Sequence, residues 1–172
     1  MFKQPSPNCG STDNWRVFPE LAGGGLFYDL APHQLDLVFF YFGDAISYHG
    51  KSENKAGLYP AEDNVQGTMQ LDNNIRFNGV WDFTVSAELE KDVFEIIGEH
   101  GKISFPVFGN DITIENNGKE SVIHFDPPMH NQQNLIEQVV AYFLGNGVNP
   151  CSARDALQSM RVMEAFVYGA NK

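Results

Sequence analysis

The spacing of the apolar residues changes from helical to alternating near Gly43, and it returns to helical after residue 125. In residues 25–42, apolar side chains recur every three or four positions, which is typical of a helix. They then alternate with polar side chains through a long middle section, which is typical of half-buried strands. The order of one helix, a run of strands and two more helices predicts an α+β fold. Its expected form is a large, mainly antiparallel, open β-sheet with helices packed on one face.

Short turn sequences divide the middle section into an antiparallel meander of strands. Residues 65–71 and 75–83 alternate on either side of an Asp-Asn-Asn turn. Residues 93–105 predict a second hairpin around Gly-Glu-His-Gly, and residues 112–125 predict a third around Asn-Asn-Gly-Lys. The Asn-Gly pair favours a type I′ turn, whose twist matches that of a hairpin. Residues 47–52 are expected to form the first strand.

Capping residues mark the ends of the predicted helices. The first helix is expected over residues 25–42, with Pro32 inside it and Gly43 at its end. Residues 135–143 carry one apolar face and predict the second helix. Ser152 is the expected N-cap of the last helix, because an acidic residue follows at the third helical position.

Length and charge restrict the class of protein. A chain of 172 residues, 42% hydrophobic and 19% charged, predicts one globular domain over residues 1–172, with residues 1–14 as a loop or arm. The net charge of −11 disfavours nucleic acid and anionic membranes, which would repel it. The sequence contains no bilayer-spanning apolar run and no signal-peptide pattern, and Cys9 and Cys151 lack metal or redox spacing. A cytoplasmic protein is therefore predicted.

Three ionisable residues in the first predicted helix share one face. Asp29, His33 and Asp36 follow an i, i+4, i+7 pattern, so a helix stacks them one above another. Apolar residues cover much of the remaining circumference, which predicts a buried helix. A buried carboxylate and imidazole need partners or a chemical role.

Asp29 and His33 are the candidate catalytic residues. An imidazole titrates near neutrality, so a positioned His33 can take or give a proton at a carbon–oxygen bond. Asp29, one turn earlier, can hold that imidazole or bind a substrate hydroxyl. One alternative is an Asp–His pair that only stabilises the start of the helix. Another is a metal site with Asp36 as third ligand, although one helix alone offers too few ligands, and no metal site is predicted.

The glycine run at residues 23–25 does not indicate a dinucleotide site. Such a site requires a strand, a glycine-rich turn and a helix, followed by a parallel strand with an acidic end. The run lacks the required spacing, and residues 19–22 make a poor strand before it. No cofactor-binding residue is therefore predicted in this chain.

Several of these features together resemble the Gfo/Idh/MocA family, named for glucose-fructose oxidoreductase and inositol dehydrogenase. The resemblance spans nearly the whole chain but only the second half of a family member. The residues that carry it are Trp15-Arg16, Gly23-Gly24-Gly25, Asp29-x-x-x-His33-x-x-Asp36, Gly43, Glu62-Asp63-Asn64, Gly98, Gly101 and Ser152-x-x-Asp155-Ala156.

The resemblance implies an NAD(P)-dependent oxidoreductase acting on a sugar, a polyol or a related hydroxy compound. In the family, a Rossmann domain precedes a substrate domain of the glucose-fructose oxidoreductase and glyceraldehyde-3-phosphate dehydrogenase type. The catalytic Asp and His map onto Asp29 and His33, and His33 becomes the general base. A usual third participant, the lysine of a Glu-Lys-Pro motif, is absent here. NAD or NADP is therefore expected on a Rossmann domain supplied in cis or in trans, and this chain alone is expected to be inactive.

Residues outside the helix are candidates for two further roles. Trp15 and Arg16 are expected to line the substrate pocket by stacking and hydrogen bonding, the alternative being a salt bridge beside a rim aromatic. Val80 and Val122 suggest a homo-oligomer formed through the open sheet face. A different reading of the whole chain is a non-catalytic module for oligomerisation or carbohydrate binding.

Overall fold

The structure is a computed structural model and describes residues 14–169. The chain divides into two compact units, Met1–Lys91 with Arg154–Lys172, and Asp92–Ala153. The predicted loop or arm at residues 1–14 falls almost wholly outside the described residues and stays a prediction. The single-domain organisation over residues 1–172 likewise stays a prediction.

Four α-helices and seven β-strands lie within the described residues, with short 3-10 turns at Trp15–Val17 and Ala87–Leu89. Apart from the short helix at Pro19–Ala22, which was not predicted, the helices and strands follow the predicted order and differ from the predicted bounds by one or two residues. The elements are α1 (Pro19–Ala22), α2 (Leu26–Phe42), β1 (Ala45–Glu53), β2 (Asn64–Leu71), β3 (Arg76–Asp82), β4 (Phe94–Gly98), β5 (Gly101–Phe105), β6 (Asp111–Asn116), β7 (Lys119–His124), α3 (Gln133–Phe143) and α4 (Ala153–Tyr168).

The strands pair in two antiparallel sheets. In the first unit the order is β1-β2-β3, and in the second it is β4-β5-β6-β7. Every strand pair in the described part of the chain is antiparallel. The predicted α+β class and the antiparallel meander are confirmed, although hydrogen bonding divides the strands into sheets of three and four rather than one continuous sheet.

The predicted type I′ hairpin turn joins β6 to β7. Both central residues have positive φ, 50° at Asn117 and 73° at Gly118. A type I′ turn requires this conformation at both positions, which glycine and asparagine adopt at the lowest steric cost. The local prediction is confirmed.

Two helices pack on one face of the first sheet. The ring of Trp81 in β3 lies 4.9 Å from that of Phe27 in α2 and 6.1 Å from that of Phe166 in α4, measured between centroids. Phe27 and Phe166 are completely buried. The core of this unit therefore lies between the sheet and these helices, as predicted for helices on one face.

A row of three glycines allows α4 to lie close to the sheet backbone. Gly50, Gly67 and Gly79 are direct neighbours across β1, β2 and β3. A Cβ atom on Gly67 would overlap the ring of Phe166, and a Cβ atom on Gly50 would crowd the Phe166 backbone. Gly50 and Gly67 therefore form a flat seat for Phe166, whereas Gly79 leaves room for the ring of Trp81.

The second unit presents much of its apolar surface to solvent. Phe94 and Phe105 stack across β4 and β5 with centroids 5.0 Å apart. On α3, however, no residue is fully buried, and Leu135 and Phe143 are exposed. Over residues 14–169, no helix is long and apolar enough to cross a membrane.

Candidate functional site

Helix α2 divides into a buried stripe and an exposed acidic and imidazole face. Asp29, His33 and Asp36 are all exposed. The expectation that this helix is buried around most of its circumference is wrong, because only one stripe meets the sheet and even the apolar Phe40 is 80% exposed. The buried stripe consists of Phe27, Ala31, Gln34, Leu35 and Val38.

The glycine run forms the junction between α1 and α2. Gly23 has a φ of 80°, a left-handed conformation that ends α1 and turns the chain. Gly25 occupies the N-cap of α2 and, as a glycine, has no side chain that could cap the helix. Instead, Oε1 of Glu62 accepts a hydrogen bond from the backbone N–H of Gly25 at 2.7 Å. The carboxylate of Glu62, distant in sequence, therefore satisfies a backbone N–H at the start of the helix that would otherwise lack a partner.

An ion pair links the start of α2 to the preceding 3-10 turn. Nε of Arg16 lies 3.2 Å from Oδ1 of Asp29, and both side chains are partly exposed. The Arg16 guanidinium also lies over the Trp15 ring, with its carbon 4.8 Å from the centroid. Trp15 itself is 50% exposed. The structure thus contains the salt bridge and rim aromatic of the alternative reading, and the substrate-binding role of these two residues stays a prediction.

Tyr28 is half-buried and packs at the start of α2, beside the glycine junction. Its ring lies against Gly24, where an added Cβ atom would overlap it. Burial raises the pKa of the Tyr28 hydroxyl, and the nearby Tyr168, Glu62 and Glu164 raise it further. In addition, the hydroxyl of Tyr168 donates a hydrogen bond to the carbonyl oxygen of Gly23 at 3.0 Å. The last helix therefore also holds the glycine junction in place.

The arrangement around His33 suits proton transfer to a bound molecule. Asp29 and His33 are one turn apart, which places their Cβ atoms about 5–6 Å from each other. One oxygen of Asp29 is paired with Arg16, whereas the His33 imidazole makes no hydrogen bond within residues 14–169. An exposed imidazole of this kind is free to accept the proton of a substrate hydroxyl.

The described residues hold no metal site and no dinucleotide site. Within residues 14–169, no group of three or more His, Cys, Asp or Glu side chains could hold a metal ion, so Asp29, His33 and Asp36 do not form one. All strand pairs there are antiparallel, whereas a dinucleotide fold needs parallel strands joined by a helix. The strands of residues 14–169 therefore do not form the usual dinucleotide-binding fold.

Glu62 is the residue at this site to which the sequence reasoning assigned no role. It lies 37 positions from Gly25, and no local spacing rule connects the two. The available signal was the Glu62-Asp63-Asn64 motif at the start of β2, which was recognised only as a family feature. The two acidic residues of this motif have different partners. Asp63 accepts hydrogen bonds from backbone groups of the β1–β2 loop, and Glu62 accepts one from the glycine junction.

The α+β fold with antiparallel sheets is the one that the family resemblance implies for this part of an oxidoreductase. The sequence model described as the GFO/IDH/MocA C-terminal domain matches residues 1–104. The chain belongs to the GFO/IDH/MocA family, and it corresponds to the family's C-terminal domain.

A curated relative supports the same assignment. The chain is 39% identical over 155 residues to Oxidoreductase P35 of Formosa agariphila, an alignment that covers 89% of this chain and 46% of the relative. This chain thus spans about half the length of the relative that it matches.

Solved structures of oxidoreductases share the fold at low sequence identity. The aldose-aldose oxidoreductase of Caulobacter crescentus, complexed with glycerol, superposes with a TM-score of 0.78 at 17% identity, over 98% of this chain and 50% of that chain. A levoglucosan dehydrogenase in complex with NADH and levoglucosan gives a TM-score of 0.77 at 18% identity, over 98% of this chain and 54% of that chain. These likenesses establish the fold.

Proposed function

We propose that this chain is the substrate-binding and half-catalytic domain of an NAD(P)-dependent oxidoreductase that acts on a sugar, a polyol or a related hydroxy compound. The observation that carries the proposal is the exposed His33 one turn from the ion-paired Asp29 on a helix that faces solvent. The relative at 39% identity is named an oxidoreductase, and one structural neighbour was solved with levoglucosan and NADH. The first supports an oxidoreductase, and the second favours a CH–OH substrate.

The residues on the exposed face of α2 divide the chemistry between them. His33 takes the proton of the substrate hydroxyl as general base and returns it in the reverse direction. Asp29 binds the same hydroxyl or orients the imidazole, and Arg16 holds the Asp29 carboxylate in place. Trp15 and Arg16 form the rim on which a sugar ring stacks and hydrogen-bonds.

The other half of the enzyme lies on a cofactor domain, present in cis or in trans. The chain covers 46% of its curated relative, which leaves room there for such a domain. That domain binds NAD or NADP and supplies the lysine of the Glu-Lys-Pro motif, which this chain lacks. A cytoplasmic location stays part of the proposal, on the ground that two cysteines without redox spacing suit a reducing compartment.

A fusion protein tests this division of labour. The 172-residue chain alone should show no NAD or NADP binding by isothermal calorimetry and no turnover. The same chain fused to the cofactor half of Oxidoreductase P35 should bind a nicotinamide cofactor and reduce it with a sugar or polyol, monitored at the nicotinamide absorbance. Cofactor affinity of the isolated chain, or a cofactor-loaded fusion without turnover on a panel of sugars and polyols, would contradict the proposal.

The exposed valines of the sheets favour the second proposed role, oligomerisation. Val80 and Val122 are 41% and 58% exposed on strands β3 and β7. Exposed β-branched residues on a sheet face are suited to contact a second copy. This role also remains if the chain has no catalytic partner, in which case it acts as an oligomerisation or carbohydrate-binding module.

Light scattering tests the oligomer. The chain should have a mass above that of a monomer at micromolar concentration, and Val122→Glu should shift it toward the monomer, because a buried unpaired charge opposes the contact. Val148→Glu is the matched control, since Val148 is 85% exposed outside the sheets. A monomeric mass across a wide concentration range would refute the oligomer.

A further inference from the structure

We infer that Glu62 is a positioning residue for the catalytic face, which it controls by holding the first turn of α2 against the 3-10 turn that carries Arg16. The inference rests on the proposed function and deepens it.

The first step is the bond from Glu62 to the start of α2. Its Oε1 accepts the Gly25 N–H at 2.7 Å, and Gly25 is the N-cap residue of a helix that has no local side-chain cap. A carboxylate beside a helix N-terminus also interacts favourably with the helix dipole. The backbone contact is close as well, because a Cβ atom on Gly25 would lie 2.5 Å from the Glu62 carbonyl oxygen. Asp29 lies in the turn that this contact anchors.

The second step is the neighbouring residue, which holds the other partner of the ion pair. The backbone N–H of Ala61 donates to the carbonyl oxygen of Val17 at 3.3 Å, at the end of the turn that contains Arg16. Val17 and Ala61 are buried together with Tyr59. Consecutive residues 61 and 62 therefore fix the backbone on both sides of the Arg16–Asp29 pair.

The third step is the rigidity of the segment that carries Glu62. The carboxylate of Asp63 accepts backbone hydrogen bonds from Lys55 at 2.7 Å and Ala56 at 2.8 Å. The Asp63 backbone bonds to Glu53 on one side, at 3.1 Å, and to Phe83 on the other, at 2.8 Å. Glu62 therefore precedes a residue whose backbone and side chain are both hydrogen-bonded at the start of β2. A segment held in this way can fix the position of the α2 residue to which Glu62 bonds.

The electrostatic setting of Glu62 differs from that of a surface carboxylate. Burial raises the pKa of the Glu62 carboxyl, the hydrogen bonds from Gly25 and from its own backbone N–H lower it, and the neighbouring Asp63 raises it. The net effect is a raised pKa, so the ionised carboxylate is less favourable in the folded chain than in the unfolded chain. The stability contributed by Glu62 therefore falls as the pH rises from the ordinary glutamate pKa through the raised pKa. Glutamine at this position avoids that cost and keeps an oxygen acceptor for Gly25.

The test compares four variants of the 172-residue chain by NMR. Glu62→Leu removes the acceptor, Glu62→Gln keeps it, Gly25→Ala displaces the same contact from the other side, and Glu164→Leu is the control. Glu164 lies near Tyr28 on α4 and, within the described residues, makes no hydrogen bond to the glycine junction. The readouts are the exchange rate of the Gly25 amide and the exchange protection of the Arg16 Nε–H.

The expected pattern separates positioning from general stability. Glu62→Leu should speed exchange at both groups by roughly 2- to 30-fold, the range for loss of a helix cap. Gly25→Ala should speed exchange of the Arg16 Nε–H by a similar factor. Glu62→Gln and Glu164→Leu should leave both rates unchanged. In the parent chain, the Gly25 amide shift should follow a titration whose midpoint lies above the pKa of an ordinary glutamate, and this titration should vanish in Glu62→Gln. Unchanged exchange in Glu62→Leu, or equal acceleration in Glu164→Leu, would overturn the inference.

The fusion enzyme supplies a second test, in which kcat and the KM for the cofactor are measured instead of exchange rates. Glu62→Leu should lower kcat with little change in the KM for the nicotinamide cofactor, and Glu62→Gln should restore it. An equal loss of kcat in Glu164→Leu would overturn the positioning role. If the parent fusion binds cofactor and shows no turnover, the proposed function fails, whereas the exchange rates still decide whether Glu62 positions Gly25 and Arg16.

Discussion

Replacing His33 with alanine in the fusion enzyme should lower kcat by about 100- to 10,000-fold, the contribution of a positioned general acid or base. The affinity for the nicotinamide cofactor should stay nearly the same. His33 is exposed and makes no hydrogen bond within the described residues, so the substitution removes a proton acceptor without disturbing the core. Steady-state kinetics and cofactor titration on the same preparation measure both quantities.

A second histidine provides the control for this experiment. His100 is exposed in the turn between β4 and β5 and has no proposed role, so His100→Ala should leave kcat unchanged. If His33→Ala lowers kcat and cofactor affinity by the same factor, His33 has a structural role. In that case the alternative, an Asp29–His33 pair that only stabilises the start of the helix, would be favoured.

Replacing Phe166 with alanine should lower the free energy of unfolding by about 3–5 kcal/mol, the usual cost of deleting a buried aromatic ring. The ring is completely buried, lies near the ring of Trp81 and packs on Gly67, so its removal leaves a cavity in the core. Chemical denaturation of the 172-residue chain measures the change.

Phe40 supplies the matched control in the same unit. It is on α2 and 80% exposed, so Phe40→Ala should change stability by no more than about 0.5 kcal/mol. A loss below about 1 kcal/mol for Phe166→Ala would mean that the glycine row and α4 are not closely packed in solution.

The fold class was predictable because each local pattern admits few structures. The change of apolar spacing at Gly43 separates α2 from β1, and the Asn117-Gly118 pair determines its own hairpin turn. These signals depend only on residues close in sequence. The division into two sheets depends on which strands hydrogen-bond to one another, and alternation alone does not encode that choice.

The candidate site was predictable only in part. The i, i+4 spacing correctly placed Asp29 and His33 on one helical face, since helix geometry alone decides it. Their burial was predicted wrongly, because the helix carries apolar residues on more than one side and the spacing does not show which side meets the sheet. The bond from Glu62 to Gly25 joins residues 37 positions apart, and only the tertiary fold brings them together.

The packing of Phe166 against the first sheet can form only after the last helix has been synthesised. The first unit combines Met1–Lys91 with Arg154–Lys172, and its closing helix α4 begins about 70 residues after β3, the last strand of its sheet. At about 5–20 residues per second, the apolar surface around Trp81 therefore stays uncovered for roughly 4–14 seconds before that helix is made. We therefore expect the nascent chain to be most prone to aggregation and to chaperone binding in this interval, and to lose that tendency once α4 has emerged.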